Sequence, residues 1–401
     1  MKDKKIVFVD GTLREGEQSA GVFFTRAEKI RLLKLMESAG IGIADCGMPA
    51  VSTDEFGTIK KLASLGLGIK VGASVRCIES EIALFAKTGA SDCFIIVPAS
   101  DIHLNVKFGL LREKYLEFVK KTIGAAVRLK IPSIHVVFED ATRADENFIE
   151  KMALELSCHG VRAFYICDTI GVSAPEKIGR LTKRICAALS RLCSKPDVGV
   201  HCHNDFGLAL ANTISAYENG ASYLTFTQNG IGERAGNVKF HELAMALAQL
   251  KNVKTGLDLN MIGKLSLAAE EISGIFMPAT EPFVGFNAYR HESGIHVSGL
   301  LKNRKVYEEF SPEAIGRENE FVLGKHSGIS IVDKLLSELF PGEVFTGEEK
   351  SAILKMVKNE RIKSEKAGIR KMKKIITKFH EETLGGLSLP EFINIVEKIR
   401  R

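Results

Sequence analysis

The sequence predicts an α/β protein, a (β/α)8 TIM barrel followed by a smaller, mainly helical C-terminal region. Three observations carry the prediction. Eight short apolar runs alternate with stretches of helical period, all by about residue 250 of 401. The length suits one barrel-sized domain of about 250 residues plus an appendage. The first turn, Asp10 to Gln18, is charged and lacks the G-x-G-x-x-G pattern, which disfavours a doubly wound open sheet. The expected division is a barrel over 1–255, a subdomain over 256–335 that contributes to the site, and a helical subdomain over 336–401.

Taken in order, the strands are expected at 6–9, 41–45, 69–75, 93–97, 133–139, 163–168, 198–203 and 223–227. Helices are expected at 26–38, 53–65, 79–88, 111–130, 145–159, 175–192, 207–218 and 238–250. Thr25 with Glu28 and Ser52 with Glu55 read as capping boxes, and Pro175 sits where a first helical turn tolerates proline. A net charge of +6 is small for this length, so neither a nucleic-acid nor a membrane partner is expected. The basic cluster 370–374 reads as a solvated helix face. Eight cysteines without a C-x-x-C pair point to reduced thiols and a cytoplasmic location. No signal peptide or membrane span is expected, because only about four apolar residues follow the basic start.

Barrel chemistry sits where strands end, so the polar residues there are informative. Strand one is followed by Asp10, Arg14, Glu15 and Gln18, and strand two ends in Asp45. Strand three ends in Ser74 and Arg76, strand five in Glu139 and Asp140, and strand six in Asp168 and Thr169. Strand seven ends in His201 and His203, which alternation places on one face. Spacing alone leaves that pair open between a structural role and half a metal site. Acids, amides and two histidines gathered at nearly every strand end read as an active-site rim with a metal.

Six segments make the reading specific. They are LREGEQSAGV (13–22), EDATRAD (139–145), HCHNDFGLALAN (201–212), NGIGERAGN (229–237), HESGIHVSGLL (291–301) and VLGKHSG (322–328). In this order they resemble the 2-isopropylmalate synthase/homocitrate synthase family of DRE-TIM metallolyase type. The short layout is most similar to the nitrogenase-associated bacterial homocitrate synthases. Such enzymes condense acetyl-CoA with a 2-oxo acid and then hydrolyse the thioester.

The resemblance implies a divalent ion (Mg, Mn or Zn) on Glu15, His201 and His203, with Asn237 a nearby or additional ligand. It implies Arg14 as the stabiliser of the developing alkoxide, and Glu139 and His296 as a shared enolisation pair, with His291 a weaker candidate. Gln18, Asp45, Arg76, His135 and Thr169 are the expected substrate contacts. Gly230, Gly232 and Gly236 are expected by the CoA end of the site. Segment 287–302 is too motif-dense for a linker, so a homodimer with sites completed across subunits is expected. About 70 residues follow the KHSG motif, so no leucine-sensing domain is expected.

Overall likeness favours 2-oxoglutarate as substrate, and hence homocitrate synthesis. The sequence departs from lysine-pathway homocitrate synthases at Asp45, Ile78, Phe94, His135, Val137 and Gly199. Val137 and Phe94 favour a smaller or apolar oxo acid such as 2-oxoisovalerate, pyruvate or oxaloacetate. Arg76 and His135 remain available for a distal carboxylate. A non-catalytic homologue that only binds metal or CoA is the reading from another class.

Overall fold

The computed structural model describes residues 5–363 and 367–400. The described chain divides into two compact units, Met1–Ile275 and Phe276–Arg401. In the first, eight parallel strands close a barrel in sequence order, with β1 (Val7–Asp10) pairing both β2 (Ile43–Asp45) and β8 (Tyr223–Phe226). Between them run β3 (Lys70–Arg76), β4 (Asp92–Pro98), β5 (Ser133–Glu139), β6 (Val161–Asp168) and β7 (Asp197–Cys202).

A single turn, α1 (Thr12–Glu15), follows β1 and precedes α2 (Arg26–Ser38). Then come α3 (Thr53–Ala63), α4 (Glu79–Ala86), α5 (Asp101–Lys107), α6 (Arg112–Arg128), α7 (Glu146–Leu156), α8 (Pro175–Leu189), α9 (Ala209–Glu218), α10 (Phe240–Met245) and α11 (Met261–Ser273). Thr25 and Glu28 form the expected capping box on α2, and Pro175 occupies the first turn of α8. Ser52 accepts the Glu55 backbone N–H, but the Glu55 carboxylate turns to Lys29 instead of completing its box. The sequence reading placed one helix after β4; the chain makes two there, because Ser100 caps an additional turn by accepting from the His103 N–H.

Side chains from alternate strand positions fill the barrel. Val9, Ile43, Phe94, Ala163, Tyr165, Cys167 and Tyr223 form its interior cluster. Phe94 fits because Gly72 beside it has no Cβ, and Tyr165 lies where a Cβ on Gly199 would collide with its ring. The second unit contains a two-stranded parallel ladder, β9 (Arg290–His291) with β10 (Glu320–Phe321), and helices α12 (Gly294–Lys302), α13 (Ile329–Leu339), α14 (Gly347–Lys363), α15 (Ala367–Leu384) and α16 (Leu389–Arg400). Lys371, Lys373 and Lys374 are exposed as expected, while the Arg370 side chain and residues 1–4 lie outside the described residues. Among the described residues no helix is long and apolar enough to cross a membrane.

Candidate active site

The site lies at the C-terminal ends of the strands. A cavity of about 260 Å³ there is walled by Arg14, Glu15, Gln18, Ile96, Val137, Glu139, Cys167, Thr169, His201, His203, Glu233 and Arg234. His201 and His203 leave β7 on the same side. His201 Nδ1 bonds Thr225 Oγ1 at 2.9 Å, which turns its Nε2 inward to 3.3 Å from His203 Nε2 and 3.5 Å from Glu15 Oε1. Asn237 reaches the same corner through a backbone bridge to His203.

Ligand atoms of Glu15, His201 and His203 all lie within 4.8 Å of one another. Burial holds His201 well below its ordinary pKa, and His203, Arg14 and Arg234 push the same way. Burial likewise brings His203 down to about 4, helped by Arg234 and Arg14. Both rings are therefore neutral donors near pH 7, as a metal ligand must be. Asn237 is buried, yet neither of its amide atoms has a partner, and His203 Nδ1 has none. Unpartnered buried polar atoms beside a carboxylate and two neutral imidazoles are what a divalent cation fits.

Arg14 is mostly buried between two carboxylates, with Nε 2.8 Å from Asp45 Oδ2 and Nη1 against Glu15; Asp45 also accepts from Ser74 Oγ at 2.6 Å. Beneath this corner a buried lysine, Lys29, donates to the carbonyls of Leu13 (3.1 Å) and Cys46 (3.2 Å) and pairs with Glu55 and Glu17. Burial pulls its pKa down, but the two carboxylates outweigh that and leave it above the ordinary value. One ammonium thus ties down the residues next to Arg14 and Asp45. The sequence signal for this strut is a lysine on the same helix face as Leu32, Leu33 and Met36.

Thr169 Oγ1 accepts the Asp140 N–H at 2.8 Å, and its carbonyl accepts from Arg234. Gln18 is exposed, 3.5 Å from Arg14 Nη1. Gly236 has φ 78°, outside the usual range for a side-chain-bearing residue, and a Cβ on Gly232 would strike the Asn237 amide. These glycines therefore shape the turn that presents Asn237.

Two expected contacts lie elsewhere. His135 sits in the lower barrel, fully buried, stacked on Phe94 at 4.7 Å and bonded to Asp92 at 2.9 Å. It lies four residues below the rim residue Glu139, and Phe94 covers it, so it is not part of the cavity wall. Arg76 is exposed and paired with Glu81; it lines a neighbouring cavity of about 380 Å³ that shares Ile96 and Glu139 with the first. His296 belongs to the second unit, where it is exposed and packs on Tyr307 with ring centroids 4.3 Å apart. His291 bonds Asn319 at 3.1 Å. Tyr307, His103 and Lys107 were not singled out from sequence.

Residues 5–268 match the HMGL-like family, and residues 283–365 match the homocitrate synthase post-HMGL domain-like family. A probable 2-isopropylmalate synthase from Ignicoccus hospitalis is 39% identical over 84% of this chain and 83% of its own. The chain belongs to the HMGL-like 2-isopropylmalate/homocitrate synthase family. Other members of that family include homocitrate synthase 1 of Nostoc sp., 36% identical over 90% of this chain and 94% of that one. A putative (R)-citramalate synthase from Archaeoglobus fulgidus is 35% identical over 88% and 71%. The barrel is shared with an HMG-CoA lyase from Bacillus subtilis, at TM-score 0.60 and 17% identity over 69% of this chain and 96% of that one.

Proposed function

We propose that this chain condenses acetyl-CoA with a 2-oxo acid and hydrolyses the resulting thioester. The observation that carries the reading is the corner where Glu15, His201, His203 and the unpartnered Asn237 amide face Arg14, with Glu139 on the same cavity wall. Glu15, His201 and His203, with Asn237 beside them, would hold the ion. Such an ion would supply Lewis-acid polarisation of the oxo acid's ketone. Arg14, fixed between Asp45 and Glu15, donates to the oxygen that gains charge as the carbon–carbon bond forms. Glu139 accepts the acetyl methyl proton, a task that needs a positioned carboxylate. His296 is the second candidate for proton transfer, and because its segment is distant from the barrel in sequence, a homodimer completing the site is part of the proposal. An active monomer by light scattering would overturn that part. Free cysteines throughout support a cytoplasmic location.

The cavity walls favour a compact, apolar oxo-acid side chain. Ile96, Val137 and Cys167 line it, with Phe94 and Tyr165 in the narrow space beneath, and its two cations, Arg14 and Arg234, are engaged by Asp45 and Asp205. This supports 2-oxoisovalerate or pyruvate. One observation supports 2-oxoglutarate instead: the adjoining cavity carries Arg76 and Lys107, though each is already paired, with Glu81 and Glu139, and a distal carboxylate would have to displace one of those acids. Metal-loaded protein incubated with acetyl-CoA and a panel of 2-oxo acids, followed by release of free CoA thiol, decides between them. No thiol release with any oxo acid would reject the synthase reading and favour a non-catalytic homologue.

A further inference from the structure

Helix α5 carries His103 and Lys107 one turn apart, so both face the same neighbour. That neighbour is Glu139. Lys107 Nζ lies 2.7 Å from each carboxylate oxygen, and His103 Nδ1 is 3.3 Å from Oε2. The helix is held firmly for its length. Arg112 grips Asp101 with two bonds, Ser100 Oγ bonds Asp140, Leu104 is buried and Phe108 packs on Tyr115. Lys107 and Glu139 both line the 380 Å³ cavity, whose other walls include Ile96, Pro98 and Phe108. Glu139 is mostly buried against these walls, while the Lys107 side chain reaches it from the solvent side, 44% exposed.

We propose that Lys107 is a catalytic residue that stabilises the charge formed on the acetyl thioester as its methyl proton leaves. The inference rests on Glu139 being the base. In the step, the methyl C–H bond breaks and the proton goes to the Glu139 carboxylate. The C–H electron pair becomes the new carbon–carbon double bond, and the carbonyl π pair moves onto the thioester oxygen. Negative charge therefore leaves Glu139 and reappears on an oxygen borne by the adjacent carbon. Lys107 stays an ammonium throughout. It loses its counter-ion when Glu139 becomes neutral, at the moment an oxyanion needs a donor. Among the described residues, Lys107 is the only side chain with a permanent positive charge that is ion-paired with Glu139.

The test uses the full-length, metal-loaded enzyme with the oxo acid that wild type prefers. For Lys107→Met, kcat is expected to fall about 100- to 1,000-fold, the range for losing one oxyanion donor, while KM for the oxo acid holds. The isotope effect with trideuterated acetyl-CoA should rise as proton removal becomes rate-limiting, and Lys107→Arg should recover part of the loss. A melting-temperature increase on adding the oxo acid to Lys107→Met checks that the fold and pocket persist. A Lys107→Met enzyme as fast as wild type, or faster, overturns the role and marks Lys107 as an inert or restraining ion pair. A loss confined to KM for 2-oxoglutarate overturns it in favour of carboxylate binding. Full activity of Glu139→Gln removes the base and Lys107's role with it, whereas an inactive wild type removes the synthase reading itself.

Discussion

The rim of the barrel and its lower interior are made by the same strands, a few residues apart, and they surround their polar groups differently. Below, His135 is enclosed by Phe94, Tyr165 and Tyr223, with ring centroids 4.7 to 5.7 Å away; its Nε2 is matched to Asp92 and Ser133, while its Nδ1 and the Tyr165 hydroxyl have no partner among the packed rings. Above, two neutral imidazoles, a carboxylate and an amide converge with several atoms unpartnered. Leaving buried polar atoms unpaired costs about 1–3 kcal/mol each. The interior scatters its unpaired atoms among packed rings, whereas the rim gathers its own around one point where a ligand can pair them.

Four changes would break or sharpen this contrast. The largest effect is expected for His203→Ala at the rim. Bound metal by elemental analysis should fall, and thiol release should drop ~1,000-fold, corresponding to the several kcal/mol a metal contributes. Unchanged metal content would remove His203 from the ligand set. Tyr165→Ala in the interior should lower unfolding free energy by about 3–5 kcal/mol in denaturant titrations. If activity instead collapses in protein that remains folded, the interior is not merely packing.

Lys29→Met, between the two regions, leaves Glu55 and Glu17 without their shared cation and should cost about 3–5 kcal/mol. A loss under about 1 kcal/mol would mean that the strut is replaced by solvent. The smallest effect concerns Asp10, fully buried at the end of β1 and raised to about 6, first by burial and against the bonds from Thr12 and Gln228. Its folded pKa lies above its unfolded value, so the folded state binds the extra proton and stability falls as pH rises from about 4 to about 6. Across that window Asp10→Asn should gain roughly 2–3 kcal/mol relative to wild type. Parallel pH–stability curves for the two proteins would contradict the raised pKa.

The arrangement of the candidate site is partly legible in the sequence. Alternation along 198–203 put His201 and His203 on one side, and the loops after the first and eighth strands supplied Glu15 and Asn237. His135 misled because strand membership says nothing about height along the barrel axis. Its position four residues before Glu139 placed it under Phe94, beyond the reach of a substrate at the rim. Lys107 and His103 were missed because α5 has only seven residues, too few for a periodic signal.

By itself the sequence determined the number and order of the barrel strands, the helix starts at Thr25 and Pro175, and the identity of the histidine pair. These depend on periodicity and capping, which act over a few residues. Only the tertiary structure decided that Lys29 turns inward to hold two loops, that the Tyr165 ring lies against Gly199, and that Lys107 meets Glu139. Those contacts join residues 12 to 34 positions apart, and they exist because closing eight staggered strands sets which side chains share a level.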